Sequence, residues 1–184
     1  MSAVATRLIK AEEFARMPEP EDGVQLELIK GEVIEVSRPK PRHGHICLKF
    51  DRSLGNFVEA HKLGWVLTND TGVIVERDPD TVHGPDICFY SLERMPAIPD
   101  TYSDSTPELV VEVLSPDDRG SEVRDKIREY LRGGVRVVWL ADPDACTVMV
   151  YSGTMRGTEF GMADTLDGGD ILPGFTCPVA YYFS

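Results

Sequence analysis

The stretch ELVVEVL (108–114), together with DKIREYLRGG (125–134) and VRVVWLADPD (135–144) after it, decides the fold class. The first and last of these segments are apolar and rich in β-branched residues, which is typical of buried strands. The middle segment repeats apolar residues at helical spacing and stops at Gly133-Gly134. A strand, a helix and a strand in succession predict an α/β or α+β protein built on a mixed sheet.

The rest of the chain alternates the same two periodicities. The patterns predict a short helix over 10–16, a β-hairpin over 24–36, a helix over 45–64, strands from Trp65 onward and a C-terminal meander. No internal repeat or linker interrupts the 184 residues. We therefore expect a single domain over 1–184, with a mixed central sheet flanked by helices.

Composition limits the class of protein. The 31 acidic and 19 basic residues give a net charge of −12, which argues against a general affinity for nucleic acid or anionic lipid. No stretch approaches the roughly 18 to 20 apolar residues of a membrane helix, and MSAVATRLIKAEEF at the N-terminus lacks the apolar block of a signal peptide. We expect a cytoplasmic protein without a membrane partner.

The four cysteines are widely spaced and form no CxxC pair. This spacing excludes zinc-ribbon and thioredoxin-like motifs, and reduced thiols are expected in the cytoplasm. Cys47 and Cys88 lie inside apolar segments, so we interpret both as small core residues.

Three acids occupy strand segments that are otherwise apolar: Glu27, Asp86 and Glu112. A carboxylate inside such a run is costly unless it is paired, protonated or bound to a metal. If the strands of Asp86 and Glu112 are neighbours, the two carboxylates can converge on one divalent cation, and hard oxygen ligands suit Mg²⁺ or Mn²⁺. Two alternatives remain open, because Asp86 also fits a strand start after Pro85 and Glu27 also fits an exposed hairpin face.

The helix after Glu112 offers a cation to this group of acids. Lys126 falls at the edge of the apolar stripe of that helix, formed by Val123, Ile127, Tyr130 and Leu131. From that edge, a lysine can reach back toward the sheet and face a metal-bound phosphate or water. The alternative is a lysine whose stem lies along the core and whose ammonium points into water.

Five strings in order and spacing resemble the Uma-two family: LELIKGEVIEV (26–36), HGHICLKF (43–50), PDICF (85–89), ELVVEVLSP (108–116) and DKIREYLRGGVRVVWLADP (125–143). The resemblance covers nearly the whole chain, from about Phe14 to ILPGF (171–175). It implies a restriction-endonuclease-like fold and an endonuclease of the PD-(D/E)xK superfamily.

The superfamily pattern implies a role for each matching residue. It assigns the divalent metal, Mg²⁺ or Mn²⁺, to Asp86, Glu112 and Val113, and an auxiliary acidic role to Glu27. The sequence departs from the pattern at the lysine of (D/E)xK, where Leu114 stands. The resemblance implies that this lysine has moved to the following helix, where Lys126 is the displaced catalytic lysine.

The implied activity is metal-dependent hydrolysis of phosphodiester bonds in nucleic acid, with DNA as the expected substrate. The nucleic-acid backbone is expected to meet the basic residues of the loop before the second helix, namely Arg38, Lys40, Arg42 and His43, with His45 near the site. The alternative for this loop is a solvated Pro-rich segment. A cupin-type reading of His43-Gly44-His45 fails because the residues that follow are helical and the required glutamate is missing.

Two other interpretations stay open. A catalytically degenerate family member would act as a module that binds nucleic acid or a protein, which suits the net charge of −12. Homodimer formation is also expected, because superfamily members often pair two sites to address two strands. Tyr181, Tyr182 and Phe183 fit either a dimer interface or a last strand packed on the core.

Overall fold

The structure is a computed structural model that describes residues 7–18, 20, 24–153 and 155–184. The prediction that the N-terminus is not a signal peptide rests partly on residues 1–6, which lie outside the described residues. The helices are α1 (Ala11–Phe14), α2 (Pro41–His61), α3 (Gly120–Gly133) and α4 (Val179–Phe183). The strands are β1 (Gln25–Ile29), β2 (Glu32–Val36), β3 (Gly64–Thr68), β4 (Val73–Glu76), β5 (Thr81–His83), β6 (Ile87–Ser91), β7 (Leu109–Val113), β8 (Val137–Asp142), β9 (Thr147–Ser152), β10 (Gly157–Phe160), β11 (Thr165–Asp167) and β12 (Thr176–Pro178).

A six-stranded mixed sheet in the order β10-β9-β8-β7-β6-β3 forms the centre of the molecule. β7 and β8 pair in parallel, because α3 carries the chain back across the sheet between them, and the other neighbours pair antiparallel. The predicted mixed sheet flanked by helices is confirmed. Of the predicted C-terminal meander, β9 and β10 pair as antiparallel neighbours, whereas β11 pairs with β12 in a separate two-stranded ribbon.

The alternation of side chains along β7 divides the core into two layers. Val111 packs in one apolar cluster with Phe50 of α2 and Trp139 of β8. Val110 points to the opposite face and packs with Tyr130 of α3. Glu112 lies two residues beyond Val110 and therefore shares the face that α3 covers.

A second sheet in the order β2-β1-β5-β4 contains the predicted N-terminal hairpin, which is confirmed. Lys30 and Gly31 both have positive φ, of 51° and 80°, as a tight hairpin turn requires. A Cβ at Gly31 would lie 2.7 Å from Cβ of Leu8, so the close approach of that segment also requires glycine. Pairing of Leu28 with Val82 ties β1 to β5, which lies just before β6.

The second helix differs from its predicted bounds of 45–64. α2 begins at Pro41, in the first turn where the missing proline N–H costs no hydrogen bond. It ends at His61, and Lys62 adopts the left-handed conformation that closes it. The predicted basic loop is thus shorter than expected, since Arg42, His43 and His45 belong to the first turns of a helix.

The C-terminal aromatic residues form α4, not the last strand that one interpretation expected. Helix α4 follows the two-stranded ribbon of β11 and β12. Tyr182 is buried and stacks on Phe50 with ring centroids 3.8 Å apart, so packing on the core is confirmed. Among the described helices, none has the length and apolarity needed to cross a membrane.

Candidate active site and metal centre

A cleft of about 1010 Å³ opens between the two sheets and the first turns of α2 and α3. Glu27 of β1, Glu112 of β7 and Lys126 of α3 line it, as does Asp86, which stands immediately before β6. These four residues are called the site cluster below. The fold therefore brings together four side chains that are up to 99 positions apart in the chain.

Lys126 lies between two carboxylates of the site cluster. Its Nζ is 3.1 Å from Oε1 of Glu27 and 3.1 Å from Oε1 of Glu112. Burial opposes the charged form, but these two acids together raise the pKa of Lys126. The ammonium is directed into the cleft, so the alternative of an ammonium pointing into bulk water is wrong.

Glu27 is buried and is held by three kinds of donor. Oε1 accepts the backbone N–H of Gly84 at 3.0 Å, and Oε2 accepts Nδ1 of His83 at 2.9 Å. Burial favours the neutral acid, but Lys126 and His83 outweigh it and lower the pKa of Glu27 to about 2. The alternative of an exposed hairpin face is therefore wrong.

His83 connects β1 with α3, and the sequence analysis found no partner for it. Its Nε2 lies 2.7 Å from Oε2 of Glu129, while Nδ1 donates to Glu27. Burial opposes protonation, but the hydrogen bonds to Glu129 and Glu27 raise the pKa of His83. No local pattern predicts this burial, because the three-residue β5 contains a single apolar residue, Val82.

Glu112 lies near the end of β7, and its carboxylate contacts two side chains. Oε1 accepts the Tyr130 hydroxyl at 2.6 Å as well as the ammonium of Lys126. Burial raises the pKa of Glu112 to about 7; Lys126 acts in the opposite direction, and the nearby charge of Asp86 adds to the rise. A cation that entered the cleft would favour the ionised form.

Asp86 faces Glu112 from the adjacent strand. Strands β6 and β7 are antiparallel neighbours with Ile87 opposite Val111, which is the arrangement that convergence of the two acids requires. Oδ2 of Asp86 accepts the backbone N–H of Val113 at 2.7 Å. This contact orients Asp86, but it does not test the predicted ligand role of Val113, because an N–H group is a donor and cannot bind a cation.

A histidine and a cysteine from α2 adjoin Asp86. Among the described residues, the group of His, Cys, Asp and Glu ligand atoms that lie within 4.8 Å of one another comprises His43, Cys47 and Asp86. Nε2 of His43 is 3.3 Å from Oδ2 of Asp86, and Nδ1 is 3.4 Å from Sγ of Cys47. The earlier helix start at Pro41 gives these residues their i, i+4 spacing, a signal that the predicted start at 45 concealed.

Cys88 is buried as predicted, and Cys47 is half-buried at the edge of the core, where it packs against the main apolar cluster and also lines the cleft. Burial and the negative charge of Asp86 raise the pKa of the Cys47 thiol. The sulfur is therefore a neutral thiol at physiological pH, and it is a weak hydrogen-bonding group for the imidazole.

Two of the predicted nucleic-acid contacts are paired with acids near the mouth of the cleft. Nζ of Lys40 lies 2.7 Å from Asp117, and Nη1 of Arg42 lies 2.8 Å from Asp144. All four side chains are more than half exposed. In this arrangement the two cations are largely neutralised, which weakens their attraction for phosphate.

The other two predicted contacts lie in different places. Arg38 is exposed between Ser37 and Pro39, which both line the cleft. His45 is exposed, and its Nε2 lies 3.3 Å from the carbonyl oxygen of Ser184. His45 therefore contacts the C-terminus, and the histidine that approaches the site cluster is His43.

Comparison with known proteins agrees with this architecture. The sequence model of the Uma2 (Uma-two) family, described as "Putative restriction endonuclease", matches residues 11–180. A crystal structure described as a "putative nuclease belonging to DUF820" from Anabaena variabilis ATCC 29413 superposes with a TM-score of 0.81 at 23% identity, covering 95% of this chain and 97% of that one. No curated protein matches the chain. The structural likeness shows a restriction-endonuclease-like fold, as the resemblance implied.

Proposed function

Because the chain belongs to the Uma2 family, we propose that it is an endonuclease that hydrolyses phosphodiester bonds with a divalent metal. DNA is the substrate we expect. The observation that carries this proposal is the ammonium of Lys126, which lies 3.1 Å from both Glu27 and Glu112 on the floor of an open cleft. An ammonium at that point can take the role of the superfamily lysine, whose usual position is occupied by Leu114 directly after β7.

The residues present fit a hard or borderline divalent ion. Asp86 directly before β6 and Glu112 on the neighbouring β7 are carboxylates, and both line the cleft together with Val113. Burial of Glu112 without enough positive charge leaves its pKa near 7, which is the condition that an additional cation relieves. When bound, the ion would polarise a phosphate oxygen and lower the pKa of a water molecule.

The protein's own side chains have separate roles in this proposal. Lys126 stays charged and stabilises negative charge on the phosphate in the transition state, or orients the attacking water. Glu27 is the auxiliary acid, which stays ionised and holds the ammonium in place. Tyr130 donates to Oε1 of Glu112, so the carboxylate is oriented by a buried hydroxyl.

Conversion of supercoiled plasmid to nicked or linear DNA tests the proposal. Purified wild type, Glu112→Ala and Lys126→Ala are compared with Mg²⁺ or Mn²⁺, and Arg132→Ala serves as the matched control because it removes an exposed cation from the same helix. We expect cleavage by the wild type and by Arg132→Ala, and a loss of at least about 100-fold in the other two variants. Unchanged cleavage by Glu112→Ala would refute the assignment.

A second candidate is a degenerate member that binds nucleic acid or a protein without cleaving it. The pairing of Lys40 with Asp117 and of Arg42 with Asp144 favours it, since a nuclease surface usually carries unneutralised cations. Metal-independent DNA binding by both wild type and Glu112→Ala, without cleavage, would support this candidate. Metal binding that Glu112→Ala abolishes would support the enzyme.

Three organisational predictions accompany the proposal. We propose a single domain over 1–184 and a homodimer whose two sites address two strands, in the cytoplasm. Light scattering on a sizing column measures the mass in solution. A monomer of 20.4 kDa would contradict the dimer without bearing on the chemistry of the site.

A further inference from the structure

Two histidines at the start of α2 have different environments although they are two residues apart. His43 is 8% exposed and lines the cleft, whereas His45 is exposed and contacts Ser184. A helix turns by about 100° per residue, so neighbours at i and i+2 point away from each other. The pair therefore contains a candidate ligand and its own matched control.

The ring of His43 is held on both of its nitrogen atoms. Nε2 faces Oδ2 of Asp86 at 3.3 Å, and Nδ1 faces Sγ of Cys47 at 3.4 Å. His43 and Asp86 both line the cleft, so a cation that enters it can contact Nε2 and Oδ2 together.

We propose that His43 binds the metal ion through Nε2 beside Asp86, so that the centre is a mixed nitrogen–oxygen site that selects Mn²⁺ over Mg²⁺. This inference rests on the proposed metal-dependent function, since it names the ion that the same site takes. Glu112 supplies a further carboxylate from β7.

The donor set accounts for the selectivity. Carboxylate, carbonyl and water oxygens suit Mg²⁺, Ca²⁺ and Mn²⁺, whereas imidazole suits transition metals. Mg²⁺ is strongly hydrated and is bound through oxygen, so a neutral imidazole adds little to the affinity of a site for Mg²⁺. Of the two ions that the resemblance implies, Mn²⁺ is the transition metal, so it gains more from an imidazole ligand than Mg²⁺ does. The spacing of 3.3 Å between Nε2 and Oδ2 also suits two ligands of one ion.

Cys47 is a positioning residue in this arrangement. Its thiol lies at Nδ1, on the opposite edge of the ring from Asp86, and burial keeps it neutral. Groups that contact the second nitrogen of a metal-binding histidine fix the orientation of its ring. Cys47→Ser, which keeps a hydrogen-bonding group, is expected to retain the metal preference, and Cys47→Val to reduce it.

The test measures metal binding directly. Mn²⁺ and Mg²⁺ are titrated calorimetrically into metal-free wild type, His43→Ala, His43→Gln and the control His45→Ala. Bound Mn²⁺ is also examined by electron spin echo envelope modulation for coupling to an imidazole nitrogen. Circular dichroism of each variant establishes that it is folded, and His43→Gln retains a polar side chain should His43→Ala unfold.

We expect wild type and His45→Ala to bind Mn²⁺ at least about tenfold more tightly than Mg²⁺ and to show nitrogen coupling. Both His43 variants should lose the coupling and about 10- to 100-fold in Mn²⁺ affinity, with a change in Mg²⁺ affinity below about threefold. Asp86→Asn should weaken both ions.

Three results would overturn the inference: no nitrogen coupling in the wild type, an unchanged preference for Mn²⁺ in both His43 variants, or Mn²⁺ binding that persists in Asp86→Asn. The proposed nuclease activity can be refuted independently of the metal inference. If plasmid stays uncut while wild-type Mn²⁺ shows nitrogen coupling that His43→Gln removes, the metal inference stands and the nuclease proposal does not.

Discussion

Asp80 and Glu112 are both carboxylates removed from solvent, but the protein treats them in opposite ways. Asp80 is 1% exposed and accepts the backbone N–H of Ala11 at 2.8 Å and that of Asp78 at 3.2 Å, with Nη1 of Arg77 at 3.1 Å. Burial favours the neutral acid, but these donors outweigh it and lower the pKa of Asp80. The chain itself satisfies this carboxylate.

Glu112 shows the contrasting case. Its partners are the side chains of Lys126 and Tyr130, and its face of the sheet opens into the cleft. Burial raises its pKa to about 7, so the protein alone does not fully stabilise the ionised form. The difference separates a carboxylate that holds the fold together from one whose charge is available to a ligand.

The largest effect is expected from Glu112→Gln. The amide oxygen can still accept from Tyr130, but the charge is lost, so plasmid cleavage should fall by at least about 1000-fold. The free energy of unfolding should change by only about 1 kcal/mol, because Lys126 keeps Glu27 as its partner and the hydrogen bond from Tyr130 is retained. Cleavage assays and urea denaturation measure the two quantities. Loss of stability without loss of cleavage would make Glu112 equivalent to Asp80.

The second prediction concerns the position of the lysine. In the inactive Lys126→Ala background, Leu114→Lys places an ammonium on the β7 side of the cleft, since Leu114 lines it two residues after Glu112. We expect recovery of cleavage by about tenfold or more over the single variant. Leu114→Met in the same background is the size-matched control. Equal activity of the two double variants would show that an ammonium on the β7 side of the cleft cannot replace that of Lys126.

The third prediction is a loss of stability in Asp80→Asn. The amide cannot accept backbone hydrogen bonds on both of its atoms, and Arg77 loses its buried partner, so the free energy of unfolding should fall by about 2 to 3 kcal/mol. Metal affinity of the folded protein should stay within about twofold of wild type, because Asp80 does not line the cleft. A variant with normal stability would show that Asp80 does not hold this region.

The pH dependence of that loss has a definite sign. The folded pKa of Asp80 is lowered, so its contribution is complete above the unfolded pKa of about 3.9 and disappears as pH falls through the folded value. The stability difference between wild type and Asp80→Asn should therefore be constant near neutral pH and shrink below about pH 4. Urea denaturation across a pH series measures it. A gap that widens in acid would contradict the assignment.

The smallest effect is expected at the mouth of the cleft. The double variant Asp117→Asn/Asp144→Asn leaves Lys40 and Arg42 unneutralised, so DNA should bind about threefold to tenfold more tightly at low salt. Fluorescence anisotropy without divalent metal measures this affinity. Glu59→Gln/Glu93→Gln removes the same net charge from exposed positions that do not line the cleft. An equal gain in that control would mean that overall charge, not the rim, controls binding.

Much of this organisation could be predicted from local patterns. The apolar run around Glu112 fixed it in a buried strand, and helical periodicity placed Lys126 at the edge of the stripe that packs on the sheet. Both predictions are correct because the two-residue period of strands and the 3.6-residue period of helices are visible in short stretches of sequence. The mixed sheet and the N-terminal hairpin follow from the same kind of signal.

What could not be predicted depends on long-range pairing and on one helix boundary. The contact of His83 with Glu27 requires β1 to pair with β5, which are more than 50 residues apart and carry no local sign of each other. His43 was assigned to a loop because its helix was started at residue 45, whereas Pro41 marks the true first turn. The aromatic C-terminus fits a dimer interface or a strand by its pattern and gives no sign of a helix, since the five-residue α4 is too short to show periodicity.

The position of Lys126 on α3, not after β7, has an evolutionary consequence. A lysine on the helix reaches the same two carboxylates that a strand lysine would meet, so position 114 is released to carry leucine. The two arrangements differ by substitutions at two positions, so a chain that carried both lysines would keep an ammonium in the cleft throughout such an exchange. Searches that demand a fixed three-residue spacing would then discard the descendants of that exchange, although the ammonium still lies beside the same acids.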